Sequence, residues 1–279
     1  MIVLFRFFSV WPLWALHGLG AVLGWVVFVL SPTYRRHLLV HAAQAGVSRA
    51  DALASVAEAG KLVAELPRLW LGGSVPVRMI GLELIEAAQA QGQGVLFLTP
   101  HMGCFEMAAR AYAERCGQAP GRAVTVLFRP PRQAWLHQVM SVARQRPGLE
   151  TAPTTLVGVR RLLKALRSGA AVALLPDQVP PEGQGVWAPF FGRAAYTMTL
   201  SARLAQTPGA TVLLTWGERL SWGRGYVLHV LPWAAPPLPT DPVAACTAIN
   251  AAMERLVLRC PRQYLWGYAR YKSPRGLAA

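Results

Sequence analysis

The chain is short of negative charge and has few cysteines. Its 13 Asp and Glu stand against 28 Lys and Arg, which leaves a net charge of +15. The 4 cysteines form no CxxC pair and no His spacing suited to zinc, so the sequence predicts reduced thiols, no metal site and no cofactor. No zinc-finger or aromatic-basic RNA-binding motif occurs, so nucleic acid is not an expected partner. No internal repeat occurs, which excludes a solenoid.

Charge is missing altogether from one long stretch near the start. Residues 7–34 contain no Lys, Arg, Asp or Glu, and the stretch is long enough to span a bilayer. It predicts an uncleaved membrane anchor over residues 1–34, followed by one folded domain over residues 35–279. Arg35 and Arg36 follow at once, which by the positive-inside rule places that domain on the cytoplasmic side. Its proline and glycines leave a shallow or hairpin-like insertion open, and a buried core helix is the alternative to insertion.

Apolar side chains are what the chain has in abundance. Hydrophobic residues make up 53% of it, and 10 Trp accompany 9 Phe and 7 Tyr. Nucleic-acid-binding proteins are equally basic but rarely this apolar, so the composition predicts a membrane surface as partner. The plain alternative is that the basic excess only keeps the protein in solution.

Apolar runs alternate with helical patterns along most of the chain. The predicted strands cover residues 77–82, 95–99, 123–128, 171–175, 210–214 and 226–231. The predicted helices cover residues 50–71, 84–91, 106–116, 135–146, 157–167, 197–206 and 242–259. This alternation predicts an α/β fold with a mostly parallel central sheet flanked by helices.

A His and a Glu lie at one predicted strand-to-helix junction, in Thr99-Pro100-His101-Met102-Gly103-Cys104-Phe105-Glu106. A loop between them lets Glu106 hold the imidazole of His101 through one ring nitrogen. The other nitrogen is then a general base toward a hydroxyl, and the helix N-terminus and the amides near Gly103 favour an oxyanion. The pattern predicts acyl transfer. Cys104 is either a thiolate nucleophile or a small buried side chain.

Two further charged residues follow predicted strands. Arg129 ends the strand at 123–128, and Asp177 follows the strand at 171–175. Because the carboxyl ends of parallel strands share one edge, both side chains are expected to converge with His101 on one crevice. An Arg there can clamp a phosphate or a carboxylate, whereas the plain alternatives are a surface Arg and a turn-forming Asp.

Over residues 5–273 the chain resembles the bacterial lipid A late acyltransferases, the lauroyl and myristoyl transferases of the lysophospholipid acyltransferase superfamily. The matching features are the apolar N-terminal segment, His101 with Glu106, Arg129-Pro130, Asp177-Gln178, Pro189-Phe190-Phe191-Gly192 followed by Ala195 and Thr197, Gln263-Tyr264-Leu265-Trp266 and Tyr271-Lys272. Their order and spacing are much more specific than the His-x4-Glu motif alone.

The resemblance implies an acyltransferase domain over residues 35–279 and an enzyme of the bacterial inner membrane, on its cytoplasmic face. It implies His101 as general base, Glu106 as its orienting partner, and Arg129, Asp177 and Gly103 as residues that support or contact substrate. It also implies acyl carrier protein as the thioester donor and a lipid A precursor as acceptor.

Several positions depart from the family pattern. The chain has Gly103-Cys104-Phe105-Glu106 where members commonly read Gly-Asn-Trp-Glu, Arg262 where they usually carry an acid, and Gly267-Tyr268-Ala269 where a His or Arg is usual. The dyad is intact, but the acceptor stays open between a lipid A precursor, an ornithine lipid and another glycolipid. The sequence is also compatible with an acyl-CoA-dependent lysoglycerophospholipid acyltransferase and with a catalytically inactive lipid-binding protein.

Overall fold

The structure, a computed structural model, describes residues 2–128, 133–144 and 146–274. Its helices are α1 (Ile2–Ser9), α2 (Leu13–Leu30), α3 (Pro32–Gln44), α4 (Arg49–Leu71), α5 (Leu82–Ala90), α6 (Phe105–Arg115), α7 (Ala134–Arg144), α8 (Leu156–Arg167), α9 (Thr199–Ala205) and α10 (Pro242–Val257). Its strands are β1 (Val77–Ile80), β2 (Gly94–Leu98), β3 (Val124–Phe128), β4 (Leu149–Pro153), β5 (Ala171–Leu174), β6 (Gly185–Phe190), β7 (Arg193–Met198), β8 (Ala210–Arg219) and β9 (Tyr226–Pro232).

The central sheet has seven strands in the order β1-β9-β8-β2-β5-β3-β4. Neighbouring strands run parallel except β8 and β9, which are antiparallel. The prediction of a mostly parallel sheet flanked by helices is confirmed. This order brings the carboxyl ends of β2 and β5 side by side.

Both faces of the sheet are covered, as a parallel sheet requires. The alternating side chains of β2 show this directly. Leu96 and Leu98 point into a core that contains α8 and α10 residues, whereas Val95 and Phe97 point into a second core with α5 and α6 residues. All five residues of β2 are buried, which explains why this strand reads as a continuous apolar run.

Two local predictions were incomplete. Strand β4 was not predicted, because it lies at the sheet edge, is only partly buried and ends at Pro153. The predicted helix over 197–206 begins only at Thr199, because the preceding residues pair in a β6–β7 hairpin. Phe191 and Gly192 form its tight turn, both with positive φ, as such hairpin turns require.

The uncharged N-terminal stretch forms α1, a short break and α2, and Ser31 then caps α3. Helix α2 packs so closely on α4 that a Cβ on Gly60 would lie 1.9 Å from the Gly20 carbonyl oxygen. Glycine at this position allows the close approach. Helix α2 is long and apolar enough to cross a membrane by length and composition, and one third of it is buried. Its exposed apolar side chains include Trp14, Val22, Leu23, Trp25, Val26, Val27, Val29 and Leu30.

Candidate active site

His101 lies in the loop that leaves β2, and Asp177 lies just beyond β5, the neighbouring strand. The side chain of Asp177 bonds His101 twice: His101 Nδ1 lies 2.7 Å from Asp177 Oδ1, and the backbone N–H of His101 donates to Oδ2 at 2.9 Å. The structure therefore brings these two predicted site residues together and fixes the imidazole ring relative to its own backbone.

The charge state of Asp177 decides what the imidazole can do. Burial by itself raises the pKa of Asp177, but the charge and hydrogen bonds of His101 and the charge of Arg270 outweigh burial, so the pKa lies below its ordinary value. An ionised carboxylate accepts hydrogen bonds only, so Nδ1 of His101 is the nitrogen that carries the proton. In the neutral form of the ring, Nε2 then carries the lone pair.

Glu106 occupies the first turn of α6 and lines the same cavity as His101. Its Oε2 accepts a hydrogen bond from Trp70 Nε1 at 3.2 Å. The imidazole ring of His101 packs edge-on against Phe105, with ring centroids 5.0 Å apart. The carboxylate that bonds Nδ1 of His101 belongs to Asp177. The orientation of the imidazole by Glu106 stays a prediction.

Gly103 turns the loop between His101 and α6. Its φ is +58°, and a Cβ there would lie 2.0 Å from the Gly217 carbonyl oxygen, so only glycine fits without strain. Its N–H donates to the Gln263 carbonyl at 2.8 Å, and the N–H of Cys104 donates to the Gly217 carbonyl at 2.7 Å. Both amides are already used, so an oxyanion would need other donors at the start of α6.

The C-terminal motif predicted from the family pattern holds this loop in place. Leu265 N–H donates to the His101 carbonyl at 3.3 Å, and Met102 forms a bridge with Tyr264. The side chain of Gln263 pairs with both backbone groups of Arg219 at 2.9 Å. These residues position the loop that carries His101.

A buried ionic network lies beneath Gly103, and sequence reasoning missed it. Arg219 donates to Glu65 Oε1 at 2.6 Å and to Oε2 at 2.8 Å, to Glu58 at 2.7 Å and to the Gly103 carbonyl at 3.1 Å. Tyr226 and His17 also bond Glu65 Oε2, at 2.8 and 2.9 Å. The network thus joins α2, α4 and β8 to the active-site loop.

His101 and Glu106 line a cavity of about 930 Å³. The volume lies within the range of roughly 300–1,000 Å³ that is usual for small-molecule sites. Most of its lining is apolar, and the apolar lining residues include Phe97, Val126, Leu127, Leu156, Val159, Leu174 and Leu200. The cavity therefore offers a mostly apolar space next to the imidazole of His101.

Cys104 lies between the two motif residues but is fully buried. Burial, and then the charge of Glu65, raises the pKa of its thiol well above the ordinary value. A buried, protonated thiol is a poor nucleophile, so the packing role fits this structure better than the thiolate role.

Arg129, another predicted site residue, lies outside the described residues. Within the described ranges, no group of three or more His, Cys, Asp or Glu side chains could hold a metal ion.

Comparison with known proteins places residues 53–273 within the family described as bacterial lipid A biosynthesis acyltransferase. The chain is 29% identical over 204 residues to a lipid A biosynthesis lauroyltransferase of Escherichia coli, covering 71% of this chain and 63% of that protein. It is 27% identical over 197 residues to a lipid A biosynthesis palmitoleoyltransferase of Escherichia coli, covering 69% of this chain and 60% of that protein.

A lipid A biosynthesis acyltransferase of Haemophilus influenzae is 26% identical over 187 residues, covering 67% of this chain and 56% of that protein. The chain thus spans 56–63% of the length of these three curated relatives. All three matches lie between 26% and 29% identity, so they indicate a common family but do not identify the acyl chain or the acceptor.

Proposed function

Because the chain belongs to the bacterial lipid A biosynthesis acyltransferase family, we propose that it moves a fatty acyl chain from a thioester to a hydroxyl of a lipid A precursor or related glycolipid. The placement of His101 supports this reaction. An imidazole held by a buried carboxylate stands at an apolar cavity of about 930 Å³. A general base beside a chain-sized apolar space is the arrangement that acyl transfer to a lipid requires.

In the proposed reaction, Nε2 of His101 removes the proton from the acceptor hydroxyl as its oxygen attacks the thioester carbonyl. Asp177 keeps the proton on Nδ1 and stabilises the imidazolium that forms. The tetrahedral intermediate then collapses, the carbon–sulfur bond breaks, and the departing thiolate takes the proton from Nε2. An ester and a free thiol result, with no covalent intermediate on the protein.

Glu106 is the second carboxylate of the proposed site. Because Asp177 already bonds Nδ1, Glu106 would act from the cavity side, where it can align the ring and stabilise the imidazolium. The positive end of α6, at Phe105, lies at the same cavity and favours the developing oxyanion. Arg129 and Gly103 are retained as supporting residues of the proposal, Arg129 through its expected charge and Gly103 through the loop geometry.

We propose acyl carrier protein as the donor. Helix α8 presents Arg160, Arg161, Lys164 and Arg167, all of them exposed, on the element that also lines the cavity through Leu156 and Val159. An acidic carrier docked on this face would place its thioester arm near the cavity mouth.

For location, we propose the bacterial inner membrane, with the domain on its cytoplasmic face. Helix α2 carries the exposed apolar surface, and Arg35 at its C-terminal end donates to the carbonyls of Phe28 and Val29 at 3.1 and 3.0 Å. Cations at this end satisfy the free carbonyls and suit the charged interface.

The test is product formation by the purified full chain in a mild detergent. With lauroyl-acyl carrier protein and a lipid A precursor, mass spectrometry should show the acceptor heavier by one acyl group. Lauroyl-CoA and lysophosphatidic acid form the second arm, which tests for a lysoglycerophospholipid acyltransferase. Product in the second arm alone would overturn the assignment, and no product in either arm would favour a lipid-binding protein without activity.

A further inference from the structure

A second cavity, of about 290 Å³, lies apart from His101, between α3, the β6–β7 turn and the C-terminal segment. Arg36, Arg193 and Lys272 line it, together with the imidazoles of His37 and His41. No Asp or Glu is among the described residues that line it. Three like charges thus share one small concave surface, and a bound anion would offset their mutual repulsion.

Aromatic rings, rather than carboxylates, hold two of these cations. The guanidinium of Arg193 lies 4.7 Å from the ring centroid of Tyr271, and the ammonium of Lys272 lies 5.0 Å from that of Tyr268. The hydroxyl of Tyr271 is fixed in turn by Gln44 at 2.8 Å. A ring orients a cation without neutralising it, so the positive charge stays available to a ligand. In the described ranges, no ion pair within 4.0 Å joins Arg36, Arg193 or Lys272 to a carboxylate.

The imidazoles complete the pocket. His41 uses Nδ1 to donate to the Trp266 carbonyl at 3.0 Å, and its ring stacks on that of His37 with centroids 5.4 Å apart. Glu254 approaches the turn from α10, but its carboxylate accepts the N–H of Phe191 at 2.7 Å and does not line the pocket. Because Nδ1 of His41 is already used, the donors available to an anion in the pocket are the cationic side chains of Arg36, Arg193 and Lys272.

The position of the pocket points to a membrane lipid as the source of the anion. Arg36 and His37 belong to α3, which follows α2, the candidate membrane helix, after one residue. The opposite wall, at Tyr271 and Lys272, continues the segment in which Leu265 bonds the His101 carbonyl. A headgroup in this pocket would contact α3, the helix that follows α2, and the C-terminal segment that also bonds the His101 loop.

We propose that this pocket binds a phosphate monoester. Arg and Lys donors are suited to the oxygens of a compact dianion, and the cavity lies at the lower end of the usual range for small ligands. Arg193 and Lys272 are the residues whose loss should weaken binding most, because neutral rings already orient them. The binding test involves no turnover, so its outcome does not depend on the proposed acyl transfer.

Isothermal titration of the full chain in a non-ionic detergent tests the site, at constant ionic strength. The probes are inorganic phosphate, dihexanoyl phosphatidic acid and dihexanoylglycerol, and the last two differ only in the phosphate. The wild type should bind both phosphates saturably at one site and should not bind dihexanoylglycerol there. Tighter binding of phosphatidic acid identifies a lipid headgroup as the source, whereas equal or tighter binding of inorganic phosphate identifies the free anion.

The variant Arg193→Gln/Lys272→Gln should weaken binding of phosphate about ten-fold or more. The control Arg78→Gln/Arg115→Gln removes the same charge from two exposed arginines outside the pocket, and it should change binding less than about two-fold. Thermal unfolding of each variant checks that the fold is intact. Equal losses in both double variants would show a diffuse charge effect and overturn the site, as would a wild type that binds neither phosphate.

Discussion

The buried carboxylate of Glu65 offers the sharpest test of how the fold supports the active site. Glu65 is fully buried, and its two oxygens accept hydrogen bonds from Arg219, Tyr226 and His17. Glu65→Gln keeps the shape but removes the charge. It also places an amide NH₂ among groups that are themselves donors, so the guanidinium of Arg219 loses its best acceptor without leaving the interior.

The size of the effect follows from the electrostatics. Burial raises the pKa of Glu65, but Arg219 and then His17 outweigh burial, and the pKa falls from 4.5 to about 2. A fall of this size corresponds to roughly 3 kcal/mol of stability at neutral pH. Removing one partner of a buried ion pair typically costs about 3–5 kcal/mol. We therefore expect Glu65→Gln to lower the free energy of unfolding by about 3 kcal/mol.

The pH dependence has a definite sign. Because the pKa of Glu65 is lower in the folded state, its contribution is complete above the unfolded value of 4.5 and is lost as pH falls toward about 2. The difference between wild type and Glu65→Gln should therefore be largest at neutral pH and should shrink below about pH 4.5.

Denaturation in a mild detergent, followed by Trp fluorescence, measures this difference. Asp51→Asn is the matched control, because Asp51 pairs with Arg262 at 2.9 Å and both side chains are partly exposed. Such an exposed pair contributes only about 0–1 kcal/mol. A loss of less than about 1 kcal/mol in Glu65→Gln at neutral pH, or a difference that grows as the pH falls, would show that the ionised Glu65 does not stabilise the fold.

Three other predictions concern the site, the donor and the membrane. Asp177→Asn should lower turnover about 10²- to 10⁴-fold, because an amide can donate to Nδ1 of His101 and shift the ring proton to Nε2. Rates near wild type in a folded variant would show that Asp177 does not set the position of the ring proton. Arg160→Glu/Lys164→Glu should lower kcat/KM for the carrier-bound donor more than for acyl-CoA, and this difference between the two donors should shrink at high salt. Equal losses for both donors would exclude docking of the carrier on α8. The full chain should stay with membranes through carbonate and high-salt washes, because burial of apolar α2 surface is not screened as ionic binding is; release by salt alone would show that α2 does not insert.

Much of the fold could be predicted because its strands are buried and locally encoded. The apolar runs gave β2, β3 and β5 nearly to the residue, since a parallel sheet covered on both faces leaves little choice of polarity. Strand β4 and the hairpin could not be predicted, because each depends on pairing with another strand more than on its own periodicity. The anchor boundary at residue 34 stays a prediction.

The candidate site divides in the same way. Its place at the carboxyl edge of the sheet could be inferred, because neighbouring parallel strands end together and bring Asp177 to His101. The conformation of the loop after His101 could not be predicted, because Gly103 in that loop contacts Gly217 and Gln263, which are distant in the sequence. The pairing of Glu65 with Arg219 joins residues 154 positions apart, which leaves no local signal.

We propose His101 as the general base for acyl transfer, and two histidine variants test this role. Single-turnover rates would be measured with purified wild type, His101→Ala and His137→Ala, where His137 is an exposed His on α7. We expect His101→Ala to lose about 10²-fold or more in rate while keeping its thermal stability and membrane binding, and His137→Ala to match the wild type. A folded His101→Ala variant that transfers acyl chains at the wild-type rate would show that His101 is not the general base.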